Sequence, residues 1–340
     1  MPERPIGAPW KGDGCKSHRG SNPLPSAKDN MNKDKLLGAL YGALVGDACG
    51  CPYEFRPPEK IPPIDKIDMV PPRGYDRAWA RIPVGTYTDD GAQTLILLDV
   101  LLSSSDTILT SLRTKLILWL TSGYMSVDNL TFDVGGQTRL ALQHCDSAAD
   151  VKEKLGTEGY CGNGSLMRCI PSALISSDLE GAMILASLQS LATHPNDRCR
   201  TTCMLYAGVA HCMLHDKMPY STVYDIVDYV RADPFYEDIS QDEINYIMHY
   251  QQNEPSGTGY VVDCFWSALW ALHAGSSYEE TIKLAISLGN DTDTTACVAG
   301  GLAGIKYGYN NIPSKWLDLL RGKDIIEPIA NKLLAAHNLG

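Results

Sequence analysis

Lys35-Leu36-Leu37-Gly38-Ala39-Leu40-Tyr41-Gly42-Ala43-Leu44-Val45-Gly46 is the stretch on which the fold turns. It shows no strand-like alternation, and glycine recurs every four residues at 38, 42 and 46. At helical pitch that spacing puts all three on one face, a small-residue stripe that permits close helix packing. Each internal glycine costs a helix about 1 kcal/mol against alanine. Three on one face therefore point to a backbone or a ligand lying against them.

Outward from this helix the pattern stays helical. Apolar periodic segments follow near 92–104, 108–122, 136–145, 165–176, 180–193, 197–215, 220–231, 241–252, 259–274, 277–288, 294–307, 313–321 and 324–336, joined by short turns of Gly, Pro, Asp, Asn or Ser. The proline-rich stretch 52–83 lacks periodicity and reads as a long, functional loop. These segments predict an all-α fold: a single compact multi-helix domain of about a dozen helices over residues 32–340. No repeat of 33 or 40 residues suggests a solenoid. Residues 1–31, rich in Gly, Pro, Ser, Lys and Arg without an apolar run, read as a disordered extension or as sequence ahead of a start at Met31.

Composition narrows the class of function. Of 340 residues, 44% are hydrophobic and 20% charged, enough for a sizeable core. A net charge of −11 with no basic run argues against an extended nucleic-acid or anionic-membrane surface. The eleven cysteines are scattered singly and predict reduced, buried thiols. His211 and His215 lack the glutamate of a zinc motif and read as core or surface residues. No apolar run approaches a membrane span. A cytoplasmic enzyme, monomeric by default, is the expectation.

Two acidic clusters carry the chemistry. Thr88-Asp89-Asp90 and Asp291-Thr292-Asp293-Thr294 lie about two hundred residues apart, each ahead of a long apolar segment. Helix capping accounts for either cluster alone, since Asp and Thr accept from free N–H groups at helix starts. A cap needs one such residue, whereas these clusters hold four carboxylates. Brought together, four carboxylates need protons or a cation, and oxygen ligands without His or Cys point to Mg²⁺, Mn²⁺ or Ca²⁺. Glu54 closes the run Gly46-Asp47-Ala48-Cys49-Gly50 with its following loop; it reads either as a solvated side chain or as a proton-transfer group over that site. Asp133-Val134-Gly135-Gly136-Gln137-Thr138 and Gly162-Asn163-Gly164-Ser165 each precede a helix, where N–H groups can hold phosphates. His194 follows a helix and reads, on its own, as a dipole-stabilised C-terminal residue.

In this order the motifs G-D-A-x-G-x-x-x-E, T-Y-T-D-D, D-V-G-G-Q-T, G-N-G-S-L-M-R, T-H-P and G-N-D-T-D-T-T-A resemble the ADP-ribosylglycohydrolase family, from about Leu36 to Leu334. The resemblance implies an all-α fold with a dinuclear site of two Mg²⁺ or Mn²⁺ that removes ADP-ribose from its conjugates. Carried over by position, it implies that Thr88, Asp89, Asp90, Asp291, Asp293 and Thr294 ligate the metals. Glu54 and Asp133 match the carboxylates beside metals and ribose, which makes them the catalytic candidates. Gly135, Gly136, Gly162, Asn163, Gly164, Ser165 and His194 match residues that hold ribose and diphosphate. The partner it implies is an ADP-ribose conjugate, such as an ADP-ribosylated protein. Many members have Thr or Ser where this chain has Gly91, and Trp or Ser where it has Tyr87. The resemblance leaves two rivals: a non-catalytic ADP-ribose reader on the same fold, and a hydrolase of another phosphorylated ribose compound.

Overall fold

The computed structural model describes residues 32–103, 107–217, 219–232 and 240–339; the expected extension over 1–31 lies outside the described residues. Among the described residues the helices are α1 (Lys33–Gly50), α2 (Asp89–Leu102), α3 (Ile108–Ser122), α4 (Gly136–His144), α5 (Ala148–Leu155), α6 (Ile170–Ile175), α7 (Leu179–Ser190), α8 (Asp197–Leu214), α9 (Pro219–Ala232), α10 (Gln241–Tyr250), α11 (Val261–Ala274), α12 (Tyr278–Ser287), α13 (Thr292–Tyr307), α14 (Ser314–Leu319) and α15 (Lys323–Ala336). No strand forms among these residues; a single antiparallel bridge joins Gly162 to Tyr260.

The glycine stripe of α1 lies against α13, backbone to backbone. A Cβ on Gly38 would strike the carbonyl oxygen of Gly304; the corresponding collisions are Gly42 with Gly300, Gly46 with Ala296, and Gly50 with Thr292. The reverse holds too, since Gly300 and Gly304 have no room for a Cβ against Gly42 and Gly38. Real Cβ atoms do not approach other atoms inside 3.0 Å, so only glycine permits this spacing. The pairing runs antiparallel and sets a register: the C-terminal end of α1 meets the N-terminal end of α13. Thr292 Oγ1 donates to Gly50 O at 2.8 Å and fixes that end.

Around this pair, α2, α8, α11 and α12 close the core, in which Leu40, Leu44, Leu97, Phe265, Leu269 and Leu302 have no exposed surface. All ten cysteines among the described residues are buried and free, as the scattered pattern suggested. His211 is buried and packs its ring 4.8 Å from that of His215.

One helix was not expected and one expected start comes several residues early, while the other ends of the periodic segments shift by up to three residues. Helix α5, absent from the expected segments, is short: it buries Val151 and Leu155, one turn apart, against Ala141 and Cys145 of α4 and the turn after it. Conversely, the segment expected as helix from 165 becomes helical only at Ile170. Its first residues form turns in which Leu166 N and Met167 N donate to Asn163 O, because Arg168 is drawn inward to a buried set of acceptors. The stretch 52–83 is a loop with short 3₁₀ turns at Pro58–Lys60 and Ile64–Lys66.

Candidate metal centre and active site

Register brings the two acidic clusters together. Asp293 lies in the first turn of α13 and Asp89 and Asp90 in the first turn of α2. Thr88 Oγ1 and Thr294 Oγ1 both donate to Asp90 Oδ2, at 3.3 and 3.4 Å, so the second bond ties residues 204 positions apart. Asn163 Nδ2 donates to Asp291 Oδ2 at 2.9 Å, bringing the Gly162–Ser165 turn to the same place. Glu54, Asp133 and Asp293 each present a carboxylate oxygen within 4.8 Å of the others.

Capping explains part of this arrangement. Thr88 caps α2, its hydroxyl accepting from Asp90 N at 3.3 Å. Asp291 sits at the N-cap of α13 and makes no side-chain cap bond. The sequence reading gave no role to Asp47, whose carboxylate accepts from Thr88 N at 3.0 Å and Gly91 N at 2.8 Å and pins the start of α2. Gly91 and Tyr87, the two departures from the family pattern, are in contact across the start of α2. A Cβ at 91 would lie 2.7 to 2.8 Å from the Tyr87 side chain, which covers this turn and donates from its hydroxyl to Met125 O at 2.8 Å.

The electrostatics demand protons or cations. Asp89, Asp90 and Asp293 are buried, and burial followed by neighbouring carboxylates holds each well above the ordinary carboxylate range. Burial first, then Asp133, pushes Glu54 up to about 11, against the pull of the Trp79 indole, whose Nε1 donates to Glu54 Oε2 at 2.6 Å. Asp133 is raised chiefly by burial. None of the ion pairs among the described residues reaches these groups. Asp90 Oδ1 and Asp293 Oδ2 are buried without a hydrogen-bond partner. Buried acceptors left over on carboxylates from both clusters, among hydroxyls, are a donor set that fits a hard divalent cation, and no His or Cys joins Glu54, Asp133 and Asp293 in that group.

Carboxyl groups with a raised folded pKa contribute stability that is full below their unfolded pKa and is lost as pH rises through the folded value. Chelator-treated protein is therefore expected to lose thermal stability between about pH 5 and about pH 8. Added Mg²⁺ or Mn²⁺ should restore it, more strongly at the upper end, because the ligands must be deprotonated. Thermal melts over this range check the expectation; a chelated protein more stable at pH 8 than at pH 5 contradicts it.

The remaining candidates surround this centre unevenly. His194 is buried, with its ring against the Gly162–Ser165 turn: a Cβ on Gly164 would lie 2.7 Å from His194 Cε1, and one on Gly162 3.5 Å from Nε2. Gln137 joins the two glycine turns, accepting from Gly162 N at 3.4 Å and donating to Thr193 O at 3.2 Å. Gly135 and Gly136 are exposed and uncrowded at the start of α4. Ser165 points elsewhere, its hydroxyl meeting Ser190 Oγ at 2.8 Å in the interior. Strained backbone collects here: Phe55, Trp79, Asp133 and Asn290 all have positive φ, between 50° and 61°. Phe55 N donates to Asn290 O and Asn290 N to Arg56 O, both at 2.7 Å, holding the Glu54 loop against the second cluster.

Trp79, Asp47 and Arg168 escaped the sequence reading as site residues. Only Arg168 carried a signal, a charged side chain between Leu166-Met167 and Cys169-Ile170.

A family model described as ADP-ribosylglycohydrolase matches residues 28–339. The chain is 30% identical over 312 residues to ADP-ribosylarginine hydrolase Tri1 of Pseudomonas putida (strain GB-1), covering 88% of this chain and 78% of that one. It is 27% identical over 297 residues to ADP-ribosyl-(dinitrogen reductase) glycohydrolase of Rhodospirillum rubrum, covering 84% and 90%. A solved structure described as an ADP-ribosylglycohydrolase-related protein complex superposes with a TM-score of 0.72 at 27% identity, over 91% of this chain and 99% of that chain.

Proposed function

The chain belongs to the ADP-ribosylglycohydrolase family and is a glycosidic-bond hydrolase, and on that premise we propose that it uses two divalent cations to release ADP-ribose from an arginine side chain. The observation that carries the metal reading is the pair of buried, unpartnered oxygens Asp90 Oδ1 and Asp293 Oδ2. Thr88, Asp89, Asp90, Asp291, Asp293 and Thr294 would hold Mg²⁺ or Mn²⁺, which when bound supply Lewis-acid charge beside the ribose.

The protein's own groups then have defined tasks. In the Gly162–Ser165 turn the N–H groups of Gly162 and Asn163 are held by Gln137 and Gly259, so those of Gly164 and Ser165, with the start of α4, are the ones offered to the diphosphate, and the His194 ring lies against Gly162 and Gly164. Cleavage breaks the bond between the ribose anomeric carbon and the acceptor, building oxocarbenium-like charge that the Asp133 carboxylate stabilises. Glu54, its pKa raised by burial and by Asp133, gives its proton to the departing acceptor atom; its Oε2 is anchored by Trp79, and its side chain also pairs with that of Asp133. Water bonds to the anomeric carbon and returns one proton to Glu54. Glu54→Gln is expected to lower kcat by about 10²- to 10⁴-fold while ADP-ribose affinity changes little. Turnover and calorimetric titration measured together check this.

The arginine assignment rests on two supports. Relatives at 29–30% identity are named ADP-ribosylarginine hydrolases. Beside Glu54, Trp79 packs on Phe132 at 5.4 Å and on Phe55 at 6.1 Å, and Phe55 is 63% exposed. Aromatic faces next to carboxylates suit a planar guanidinium. Among arginine-, serine- and nucleobase-linked conjugates, the arginine conjugate should show the highest kcat/KM, by about tenfold, the value of a modest cation–π contact. A serine conjugate turned over as fast would refute the acceptor assignment while leaving the hydrolase intact. No described helix is long and apolar enough to cross a membrane. The buried, free cysteines suit a reducing compartment, and on them we place the protein in the cytoplasm with an ADP-ribosylated protein as its partner.

A further inference from the structure

Arg168 is completely buried, and its guanidinium makes five hydrogen bonds, one for each N–H it carries. Nε donates to Gln189 Oε1 at 2.7 Å, Nη1 to Gln93 Oε1 at 2.7 Å and Gly164 O at 3.2 Å, and Nη2 to Gln189 O at 3.2 Å and Thr193 Oγ1 at 2.8 Å. Every acceptor is neutral. Two of them lead onward, in opposite directions.

The first path runs to the acidic centre. Because Arg168 occupies the Gln93 amide oxygen, the amide nitrogen must face the other way, where it donates to Asp89 Oδ2 at 3.2 Å. The second runs to the glycine turn. Arg168 occupies a lone pair on the Thr193 hydroxyl, so the hydroxyl hydrogen is free to point at His194 Nδ1, 2.8 Å away. With the hydroxyl as donor in that pair, Nδ1 accepts and the ring proton sits on Nε2, the edge turned toward Gly162 and Gly164. Burial, and then the Arg168 charge, hold the His194 pKa well below the usual value, keeping the ring neutral.

We propose that Arg168 is a positioning residue that orders both halves of the site at once: through Gln93 it sets the rotation of Asp89, and through Thr193 it sets His194 as an Nε2–H donor toward bound ADP-ribose. A lysine could not replace it, since an ammonium has three donors and no planar fork. This assignment rests on the metal and ADP-ribose reading of the site.

The test separates the two arms and spares Arg168, whose removal could unfold the protein. Thr193→Val breaks only the histidine arm, Gln93→Leu only the carboxylate arm, and Thr193→Ser restores the hydroxyl. Three readouts are taken on each full-length protein: the ¹⁵N shifts of the His194 ring, assigned by its loss in His194→Gln; the Kd for ADP-ribose; and the Kd for Mn²⁺. Thr193→Val is expected to remove the Nε2–H preference and weaken ADP-ribose about tenfold, the effect of one misdirected hydrogen bond, with Mn²⁺ unchanged. Gln93→Leu should weaken Mn²⁺ by about 10- to 100-fold and leave the His194 tautomer intact. Thr193→Ser should match the wild type. An Nδ1–H or cationic His194 in the wild type at neutral pH overturns the proposal whether or not any variant folds. So does equal loss of both affinities in both variants, which is what a purely structural role would give. A wild type that binds neither Mn²⁺ nor ADP-ribose refutes the functional reading instead, and the ring tautomer still judges the histidine arm.

Discussion

Asp293→Asn is expected to abolish metal uptake and turnover together, and to make the chelated protein more stable than the wild type. Asp293 is buried; its Oδ1 accepts from Thr294 N at 2.9 Å, which an asparagine oxygen can continue to do, whereas Oδ2 has no partner. Its carboxyl stands well above the ordinary range because of burial and then Glu54, Asp133, Asp90 and Asp291. A neutral amide therefore relieves like-charge crowding while removing an oxygen that a divalent ion needs. Losing the several kcal/mol that metal charge contributes to the transition state lowers kcat by about a thousandfold or more. Relief of the crowding should raise the melting temperature without metal by about 1 to 3 °C. Melts with chelator and with Mn²⁺, on wild type and variant, resolve both effects. A variant that is destabilised without metal, or that still gains stability from Mn²⁺, contradicts the role assigned to Asp293.

The largest effect on the fold is expected from Gly304→Val. A Cβ there collides with the carbonyl oxygen of Gly38, and the obstacle is backbone on an opposing helix rather than the end of a flexible side chain. Relaxation requires α1 and α13 to separate along their whole contact, where Gly38, Gly42, Gly46 and Gly50 are equally crowded. Overpacking of a core typically costs about 1–3 kcal/mol, and this contact belongs at or above the upper end. Domains of this kind have about 5–15 kcal/mol to lose. The damage also reaches the chemistry, since the same register sets Asp293 against the end of α1. Urea denaturation should show a midpoint well below that of the wild type, together with loss of Mn²⁺-dependent stabilisation. Gly159→Ala, where an added Cβ meets nothing within 4 Å, is the matched control and should stay within about 0.5 kcal/mol of the wild type.

Legibility followed physical cause. Helices with a strong apolar period were readable in outline: the segment expected at 108–122 is α3 itself, and that at 197–215 is α8 less one residue. The glycine stripe said that something lay close to α1 but not what; only the structure supplies the backbone of α13. Helix α5 was missed because a single i, i+4 pair, Val151 and Leu155, in an eight-residue segment is too short a period to stand out. At the site, the acidic clusters announced themselves because too many carboxylates stood where one cap would do. Asp47 did not, since a single aspartate within a helix looks solvated until Thr88 N and Gly91 N are seen to bind it. Trp79 sits alone in a loop without period, and its bond to Glu54 spans 25 positions. Arg168 showed only as a charge within an apolar run, and its partners 75 and 25 residues away lay beyond any local pattern.

We propose that the joined acidic clusters are a divalent-metal centre for releasing ADP-ribose. The most direct test is the rate of free ADP-ribose release from an arginine-linked conjugate as Mg²⁺ or Mn²⁺ is titrated into protein stripped by chelator. The expected result is no release at the start, a saturable rise with either ion, and collapse when chelator is returned. Full turnover by the stripped protein, unchanged by added metal, would contradict it.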